Sequence, residues 1–149
     1  MSAIEKTIAR TDSESFQVAG DTIRLLAGAE STGLHYEAFE VCARENNGPP
    51  PHTHSWREFY YMIDGEIDLT IDGTTMRLGP GSCAHVREGA LHTHRIASAS
   101  ARFVLIADPA GVAAFFREID RETQGSSEDI PKILSIAQRH GFTISVDQL

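Results

Sequence analysis

Residues 52–73, HTHSWREFYYMIDGEIDLTIDG, place two histidines ahead of two short apolar segments, each of which ends in an Asp-Gly pair. The second segment, 66–71, alternates strictly between apolar and polar residues. Such alternation predicts a β-strand with one buried side and one solvent-facing side. An Asp-Gly pair favours a two-residue hairpin turn, because these turns need positive φ angles. The stretch therefore predicts antiparallel strands joined by hairpins at Asp64-Gly65 and Asp72-Gly73.

Similar short segments continue on both sides of this stretch. They are rich in β-branched and aromatic residues, and turn residues separate most of them. The complete set of predicted strands is 33–44, 58–63, 66–71, 74–78, 91–97 and 101–107. Consecutive short strands joined by tight turns predict an all-β region in which neighbours in sequence pair as a meander.

After residue 107 the apolar spacing changes to a helical period. Asp108 is the predicted N-cap and Pro109 the first helical residue. Apolar residues then follow at spacings of three, four and seven, which places them on one face of a helix. These residues are Val112, Phe115, Phe116 and Ile119.

A second helix is predicted within residues 126–141. Either Ser127 or Asp129 is its N-cap, and Gly141 is its stop signal. Its predicted apolar face consists of Ile133, Leu134 and Ala137.

The chain of 149 residues has 41% apolar residues, 23% charged residues and a formal net charge of −8. This length and composition predict one compact domain with a hydrophobic core. The negative charge and the lack of clustered Lys and Arg argue against a nucleic-acid partner. No segment has the apolar length of a signal peptide or of a membrane span, which needs roughly 20 residues. We therefore expect a cytoplasmic protein that makes no membrane contact.

The two cysteines, Cys42 and Cys83, lie far apart and form no C-x-x-C motif. The sequence therefore suggests neither a thiolate zinc site nor a redox pair. We predict that both cysteines are small buried hydrophobic residues.

The histidines carry the main chemical signal. His52 and His54 are two residues apart, so both imidazoles project to the same side of an extended segment. Glu58 begins the next strand, and His92 comes from a later one. Three imidazoles and a carboxylate suit Fe, Mn, Ni, Cu or Zn and leave coordination positions for water or substrate. The alternative for a histidine pair alone is a set of hydrogen-bonded strand residues without metal.

Two further residues have open roles. In a regular strand, His94 points into the same interior as His92, where it acts as a base, a substrate contact, a replacement ligand or a satisfied core histidine. Alternation from Glu58 also turns Tyr60 inward, either toward a substrate or into ordinary packing with its hydroxyl hydrogen-bonded. Trp56 and Arg57 are predicted at the rim of the site.

These residues also resemble a motif pair of the cupin superfamily, type-2 conserved barrels. Its first motif is G-x5-H-x-H-x3-4-E-x6-G, and from the first histidine onward the sequence matches it at His52, His54, Glu58 and Gly65. Its second motif is G-x5-P-x-G-x2-H-x3-N, matched at Gly81, Gly89 and His92. The sequence departs from the pattern at Gly48, which stands two residues late, at Arg87 in place of proline and at Ile96 in place of asparagine. The resemblance covers about residues 30–108.

The resemblance implies a single domain, 1–149, built as a double-stranded β-helix, or jelly-roll barrel. The barrel core would span about 20–108, and the helices of about 109–149 would pack outside it. One divalent transition metal per chain would be held by His52, His54, Glu58 and His92. The resemblance and the sheet edges of an open barrel imply a homodimer. Residues 1–20 are then either a strand donated to the partner or a frayed terminus.

Three functions from different classes remain open. The first is a metal-dependent oxygenase, such as a quercetinase-like dioxygenase, acting on a small aromatic or enolisable compound through Glu58, His94 and Tyr60. The apolar residues Phe103 and Leu105 on the last strand favour an organic substrate. The second is a sugar-type isomerase or epimerase, against which the lack of a basic cluster for phosphate counts. The third is a non-catalytic small-molecule sensor.

Overall fold

The structure of the protein is a computed structural model that describes residues 12–145. Most of these residues lie in short antiparallel strands, and two longer helices follow near the C-terminal end. In chain order the elements are β1 (Ser15–Val18), β2 (Asp21–Ala27), α1 (Ala29–Thr32), β3 (Glu37–Arg44), β4 (His52–Thr53), β5 (Arg57–Asp64), β6 (Ile67–Ile71), β7 (Thr74–Leu78), β8 (Cys83–Val86), β9 (His92–Ile96), β10 (Ser100–Asp108), α2 (Val112–Thr123), α3 (Ile130–Arg139) and β11 (Thr143–Ile144).

The strands form two sheets with crossing connections. One sheet has the order β1-β2-β3-β10-β5-β8 and the other β11-β4-β9-β6-β7. Successive strands such as β5 and β6, or β8 and β9, therefore belong to opposite sheets, which is the jelly-roll arrangement of a double-stranded β-helix. Side chains from both sheets fill the space between them, and the fully buried ones include Phe39, Met62, Ile67, Leu69, Ile96 and Phe103. The predicted all-β barrel with helices outside it is confirmed.

The two Asp-Gly turns make different kinds of connection between strands. Asp72 and Gly73 both have positive φ, 48° and 87°, and they join the paired strands β6 and β7 as a hairpin. Gly65 also has positive φ, 75°, but the turn carries the chain from one sheet to the other. The predicted hairpin at Asp64-Gly65, and the meander with it, is therefore wrong. Turn chemistry specifies a chain reversal and does not specify which strands pair.

Several short strands were not predicted from the sequence. They are β1, β2, β4, β8 and β11; β1, β8 and β11 are edge strands, and β2 and β4 lie next to an edge. β1 pairs with β2 of the same chain from Ser15 to Val18. For these four residues, both predicted alternatives, a strand donated to a partner and a frayed terminus, are wrong. Residues 1–11 lie outside the described part of the chain.

Helix α2 begins three residues later than predicted. Asp108 is the last residue of β10, and Gly111 occupies the N-cap position. The predicted apolar face is confirmed, since Val112, Phe115, Phe116 and Ile119 are all buried. Phe116 packs edge-on against Phe39, with 5.0 Å between ring centroids. The helix therefore adds its apolar face to the core of the six-stranded sheet.

Helix α3 is capped by Asp129, whose side chain accepts a hydrogen bond from the Lys132 backbone N–H at 3.2 Å. Its buried residues are Ile136 and Ala137, so the predicted face is rotated away from Leu134. The helix ends ahead of Gly141, as predicted, and the chain then returns to the barrel as β11.

The prediction that the cysteines are buried is wrong, because both Cys42 and Cys83 are exposed. Cys42 lies on the outward side of β3, between the buried residues Val41 and Ala43. Cys83 begins β8, an edge strand. Among the described residues, no helix is both long enough and apolar enough to cross a membrane.

Candidate metal centre

Three of the predicted ligands meet at one end of the barrel interior. His52 on β4 lies opposite His92 on β9, and His54 follows two residues after His52. One ring nitrogen of each histidine lies within 4.8 Å of the others. All three side chains are buried, with His92 only 1% exposed. The short pairing between β4 and β9 therefore brings distant parts of the sequence to a single point.

Each of these imidazoles is oriented by a nearby backbone carbonyl. The Nδ1 atoms of His52, His54 and His92 lie 2.9 Å from the carbonyl oxygens of Pro50, Trp56 and Ala90, respectively. A carbonyl oxygen only accepts, so each Nδ1 carries the proton and donates it. In the neutral ring, Nε2 is then left with a lone pair. This is the arrangement by which proteins fix histidines as metal ligands.

Glu58 completes the cluster from β5. Its Oε1 atom lies 3.1 Å from His92 Nε2 and 3.4 Å from His54 Nε2. A carboxylate oxygen cannot donate a hydrogen bond, and a neutral Nε2 with its proton on Nδ1 cannot donate one either. These short contacts are favourable only with a further proton in the cluster or a metal ion between the atoms.

The donor set fits a divalent transition metal. Among the described residues, His54 Nε2 is buried without a hydrogen-bond partner. Burying a polar atom in this way costs free energy unless something binds it. Three nitrogen ligands and one carboxylate match the coordination preferences of Fe, Mn, Ni, Cu and Zn. His52, His54, Glu58 and His92 are thus the residues that could hold the ion.

The surroundings of His52 and Glu58 favour the charge states that metal binding needs. Burial, together with the charge of His92, lowers the pKa of His52 to about 4. Burial alone would raise the pKa of Glu58, but the His54 and His92 imidazoles beside its carboxylate hold it far below its usual range. For His92, burial acts to lower the pKa, and the hydrogen bond with Glu58 outweighs it and raises the pKa. At neutral pH, His52 is therefore neutral and Glu58 charged, as ligands must be.

Aromatic side chains surround the imidazoles. The Trp56 ring stacks on His54 with 4.0 Å between centroids and an interplanar angle of 1°. Phe142 lies 5.4 Å from the His52 ring and 5.6 Å from the His54 ring. Trp56 thus lies against a predicted ligand, whereas Arg57 points outward and pairs with Asp108 at 2.9 Å.

Tyr60 and His94 form a second polar pair inside the barrel. Tyr60 Oη lies 3.2 Å from His94 Nδ1. Tyr60 follows Glu58 by two residues on β5, and His94 follows His92 by two residues on β9. Two residues of a strand span about 7 Å, so the Tyr60–His94 pair lies about 7 Å along the strands from the Glu58–His92 pair. Tyr60 is 2% exposed, which agrees with the inward alternation predicted from Glu58. His94 is not among the three histidines whose ring nitrogens converge.

The hydrogen bond between Tyr60 and His94 has a preferred direction. Burial, with the charge of Glu58, raises the pKa of Tyr60, so its hydroxyl keeps its proton. Burial lowers the pKa of His94 to about 4, so its ring is neutral at pH 7. Within the described residues, His94 Nδ1 is the acceptor in reach of the Tyr60 hydroxyl. Tyr60 therefore donates, and the His94 proton sits on Nε2 as a hydrogen-bond donor.

The remaining histidines lie away from this cluster. His35 and His85 are exposed, and the His85 ring contacts Phe59 at 4.9 Å. His140 is partly buried against helix α2, where its Nε2 pairs with Glu118. Sequence reasoning did not identify Phe142, since no spacing pattern connects the end of the chain with the histidines.

A jelly-roll barrel with a buried cluster of three histidines and a glutamate defines the class of this protein. Residues 39–107 match the family model described as Cupin_2, a cupin domain. The fold, the motif residues and this match place the chain in the cupin superfamily, as a type-2 protein.

Similar proteins have several activities. The chain is 28% identical over 110 residues to quercetin 2,3-dioxygenase of Bacillus subtilis (strain 168), covering 72% of this chain and 33% of that protein. The chain thus spans about one third of the length of this curated relative. The polyketide cyclase RemF of Streptomyces resistomycificus superposes with a TM-score of 0.61 and 25% identity over 70% of this chain and 79% of that one. KdgF from Halomonas sp. superposes with a TM-score of 0.66 and 15% identity over 74% of this chain and 98% of that one. At this identity the similarity concerns the fold only.

Proposed function

We propose that this cupin binds one divalent transition metal per chain and acts as a metal-dependent enzyme on a small organic compound. The observation that carries the proposal is the common orientation of three imidazoles. His52, His54 and His92 each donate Nδ1–H to a backbone carbonyl. The Nε2 atoms of His54 and His92 lie 3.4 and 3.1 Å from the Glu58 carboxylate. A structural histidine cluster has no need for three identical tautomers around a buried carboxylate.

A bound metal supplies Lewis-acid polarisation of a substrate and, if it is Fe, Ni or Cu, redox chemistry with O2. The four protein ligands leave one or two positions for substrate or water. Glu58 contributes a negative charge that offsets part of the charge of the ion. The Trp56 and Phe142 rings restrict the access of water to His52 and His54.

The Tyr60–His94 pair is the proposed contact with substrate. Because Tyr60 occupies Nδ1, the Nε2–H of His94 is free to donate to an acceptor oxygen inside the barrel. Phe103 packs beside both rings, at 5.7 Å from Tyr60 and 5.6 Å from His94. The apolar Phe103 ring beside the single hydrogen-bond donor of His94 suits a planar or enolisable compound that carries oxygen. The similar proteins named for quercetin and for a polyketide support a substrate of this class.

The first test is the metal content of protein purified without chelator or nickel resin. We expect about one Fe, Mn, Ni, Cu or Zn per wild-type chain and none in His52→Ala, because a buried site that loses one of its few ligands binds its ion far more weakly. His85→Ala is the matched control, since it removes an exposed histidine outside the cluster. Elemental analysis and circular dichroism of the three proteins check the result. Equal metal in wild type and His52→Ala would refute the site.

The second test separates the classes of function. Candidate oxygen-bearing aromatic compounds are added to the metal-loaded protein without oxygen, and the metal's absorption spectrum reports binding. O2 is then admitted. Oxygen uptake with product formation supports an oxygenase. Turnover without O2 supports an isomerase or cyclase, and tight binding without turnover supports a sensor.

A homodimer and a cytoplasmic location are also part of this proposal. The strands at the sheet edges, including β7 and β8, present backbone groups that a second copy could pair with. Sedimentation of the purified chain measures its oligomeric state directly.

A further inference from the structure

The chain returns to the candidate metal centre after the family-matched region ends. Residues 141–145, here called the C-terminal arm, follow helix α3 and include strand β11. β11 pairs antiparallel with β4, with Ile144 opposite His52 and Thr143 opposite Thr53. The arm therefore adds a strand to the strand that carries His52.

The arm also binds the segment that orients His52. The Ser145 backbone N–H donates to the Pro51 carbonyl at 2.8 Å. The neighbouring Pro50 carbonyl accepts the Nδ1–H of His52 at 2.9 Å. Two adjacent carbonyls of one proline-rich turn thus hold the arm and the imidazole, so displacement of the arm would loosen the turn on which His52 depends.

Phe142 is the main side-chain contact of the arm with the cluster. Its ring lies 5.4 Å from His52, 5.6 Å from His54 and 5.0 Å from Trp56, between centroids. On its other side it packs against Phe115 of helix α2 at 4.6 Å. The ring is therefore wedged between the helical extension and two of the predicted ligands.

We propose that the C-terminal arm, through Phe142, is a positioning element that limits the release of metal from this site. The proposal rests on the metal binding proposed above. An ion leaves more readily when its imidazoles can turn away or when water can reach them, and both events require space beside His52 and His54. An apolar side chain packed on these rings opposes both, since the shell around a metal site controls solvent access and ligand orientation.

The experiment compares Phe142→Ala with Phe59→Ala in the full-length, metal-loaded protein. Phe59 is the matched control because it is also half-buried and also contacts a histidine, His85, outside the cluster. Metal release is followed by transfer to an excess of a chromophoric chelator at neutral pH. We expect Phe142→Ala to speed release by about 10- to 100-fold, because removing an outer contact to a metal ligand lowers metal affinity by about this factor and the loss should be expressed in the release rate. Phe59→Ala should release metal at close to the wild-type rate.

Ser145→Pro is a second variant that keeps every aromatic ring. It removes the backbone N–H that binds the Pro51 carbonyl, and it should speed release in the same direction. It also keeps the test informative if Phe142→Ala does not fold. Release rates of both arm variants within twofold of the Phe59→Ala rate would overturn the inference. A wild-type protein without metal would overturn the proposed function itself and this inference with it.

Discussion

At the scale of single residues, the four inward-facing histidines differ in what holds their Nδ1 atoms. His52, His54 and His92 use backbone carbonyls, whereas His94 uses the Tyr60 hydroxyl. A carbonyl oxygen only accepts a hydrogen bond, so it fixes the imidazole proton on Nδ1. A hydroxyl can donate or accept, so the rest of its environment decides which ring nitrogen carries the proton. The first three rings therefore have the tautomer that a metal ligand needs, whereas the Nδ1 atom of His94 is occupied by Tyr60.

The metal-free protein should lose stability as the pH falls from about 6.5 to about 4.5. An unfolded histidine titrates near pH 6.5, whereas burial lowers the pKa of His52 and of His94 to about 4 in the fold. Between these values the unfolded chain binds more protons, so acidification favours unfolding. His92 acts in the opposite direction, because its pKa is raised by Glu58. Urea unfolding of chelator-treated protein at several pH values measures the combined effect of these histidines on the free energy of unfolding.

His94→Gln separates one contribution from the rest. The variant removes one of the two groups with a lowered pKa, so its loss of stability between pH 6.5 and pH 4.5 should be smaller than that of wild type. His85→Gln, which changes an exposed histidine, should follow the wild-type curve. An unchanged pH dependence in His94→Gln would contradict the lowered pKa assigned to this ring.

At the scale of elements, two turns of the same sequence type have different surroundings. Gly73 sits at the tip of the β6–β7 hairpin, and a Cβ added there would meet nothing within 4 Å. A Cβ on Gly65 would lie 2.2 Å from the Ser100 carbonyl oxygen and 2.7 Å from the Ala101 Cα. The second turn therefore packs against the start of β10, where the chain crosses between sheets.

Gly73→Ala and Gly65→Ala should differ strongly in stability. Both place an alanine at positive φ, which costs roughly 1 to 2 kcal/mol. Gly65→Ala adds a clash with backbone atoms and should destabilise by about 3 kcal/mol or more in total. Urea unfolding of the two variants beside wild type gives the comparison. Equal losses would mean that the crossing turn is less tightly packed than the structure shows.

At the scale of the whole molecule, the N-terminus of helix α2 is capped from a distant strand. Glu37 on β3 is 3% exposed, and its Oε1 accepts the backbone N–H groups of Gly111 at 2.7 Å and Ala113 at 3.0 Å. A carboxylate at this end also interacts favourably with the helix dipole. The contact joins the sheet to the helical extension that carries the C-terminal arm.

Glu37→Ala should destabilise the protein by about 1 to 3 kcal/mol, because two N–H groups at the helix start lose their acceptor. Glu37→Gln should cost less, since its amide oxygen still accepts while its charge is lost. Glu30→Ala is the control, as it removes an exposed acidic residue of α1. The free energies of unfolding in urea test the order. A Glu37→Ala loss no greater than that of Glu30→Ala would exclude the cap as a stabilising contact.

The sequence by itself determined features that depend on residues close together in the chain. Alternation in 66–71 predicted a strand with Ile67, Leu69 and Ile71 on its buried side; Ile67 and Leu69 are fully buried and Ile71 is partly buried. The spacing in α2 likewise predicted its apolar face, because backbone geometry alone sets both periods. The motif residues likewise predicted which histidines would face inward.

Only the tertiary structure decided which strands pair, what caps α2 and what covers the histidines. The two Asp-Gly turns look alike in sequence, yet one closes a hairpin and the other crosses between sheets. The Glu37 cap joins residues 74 positions apart, and Phe142 reaches the His52 ring only after two helices have packed. These contacts join groups that are far apart in the sequence, so no local pattern predicts them. They form because the folded chain as a whole buries its apolar surface, and that brings the groups together.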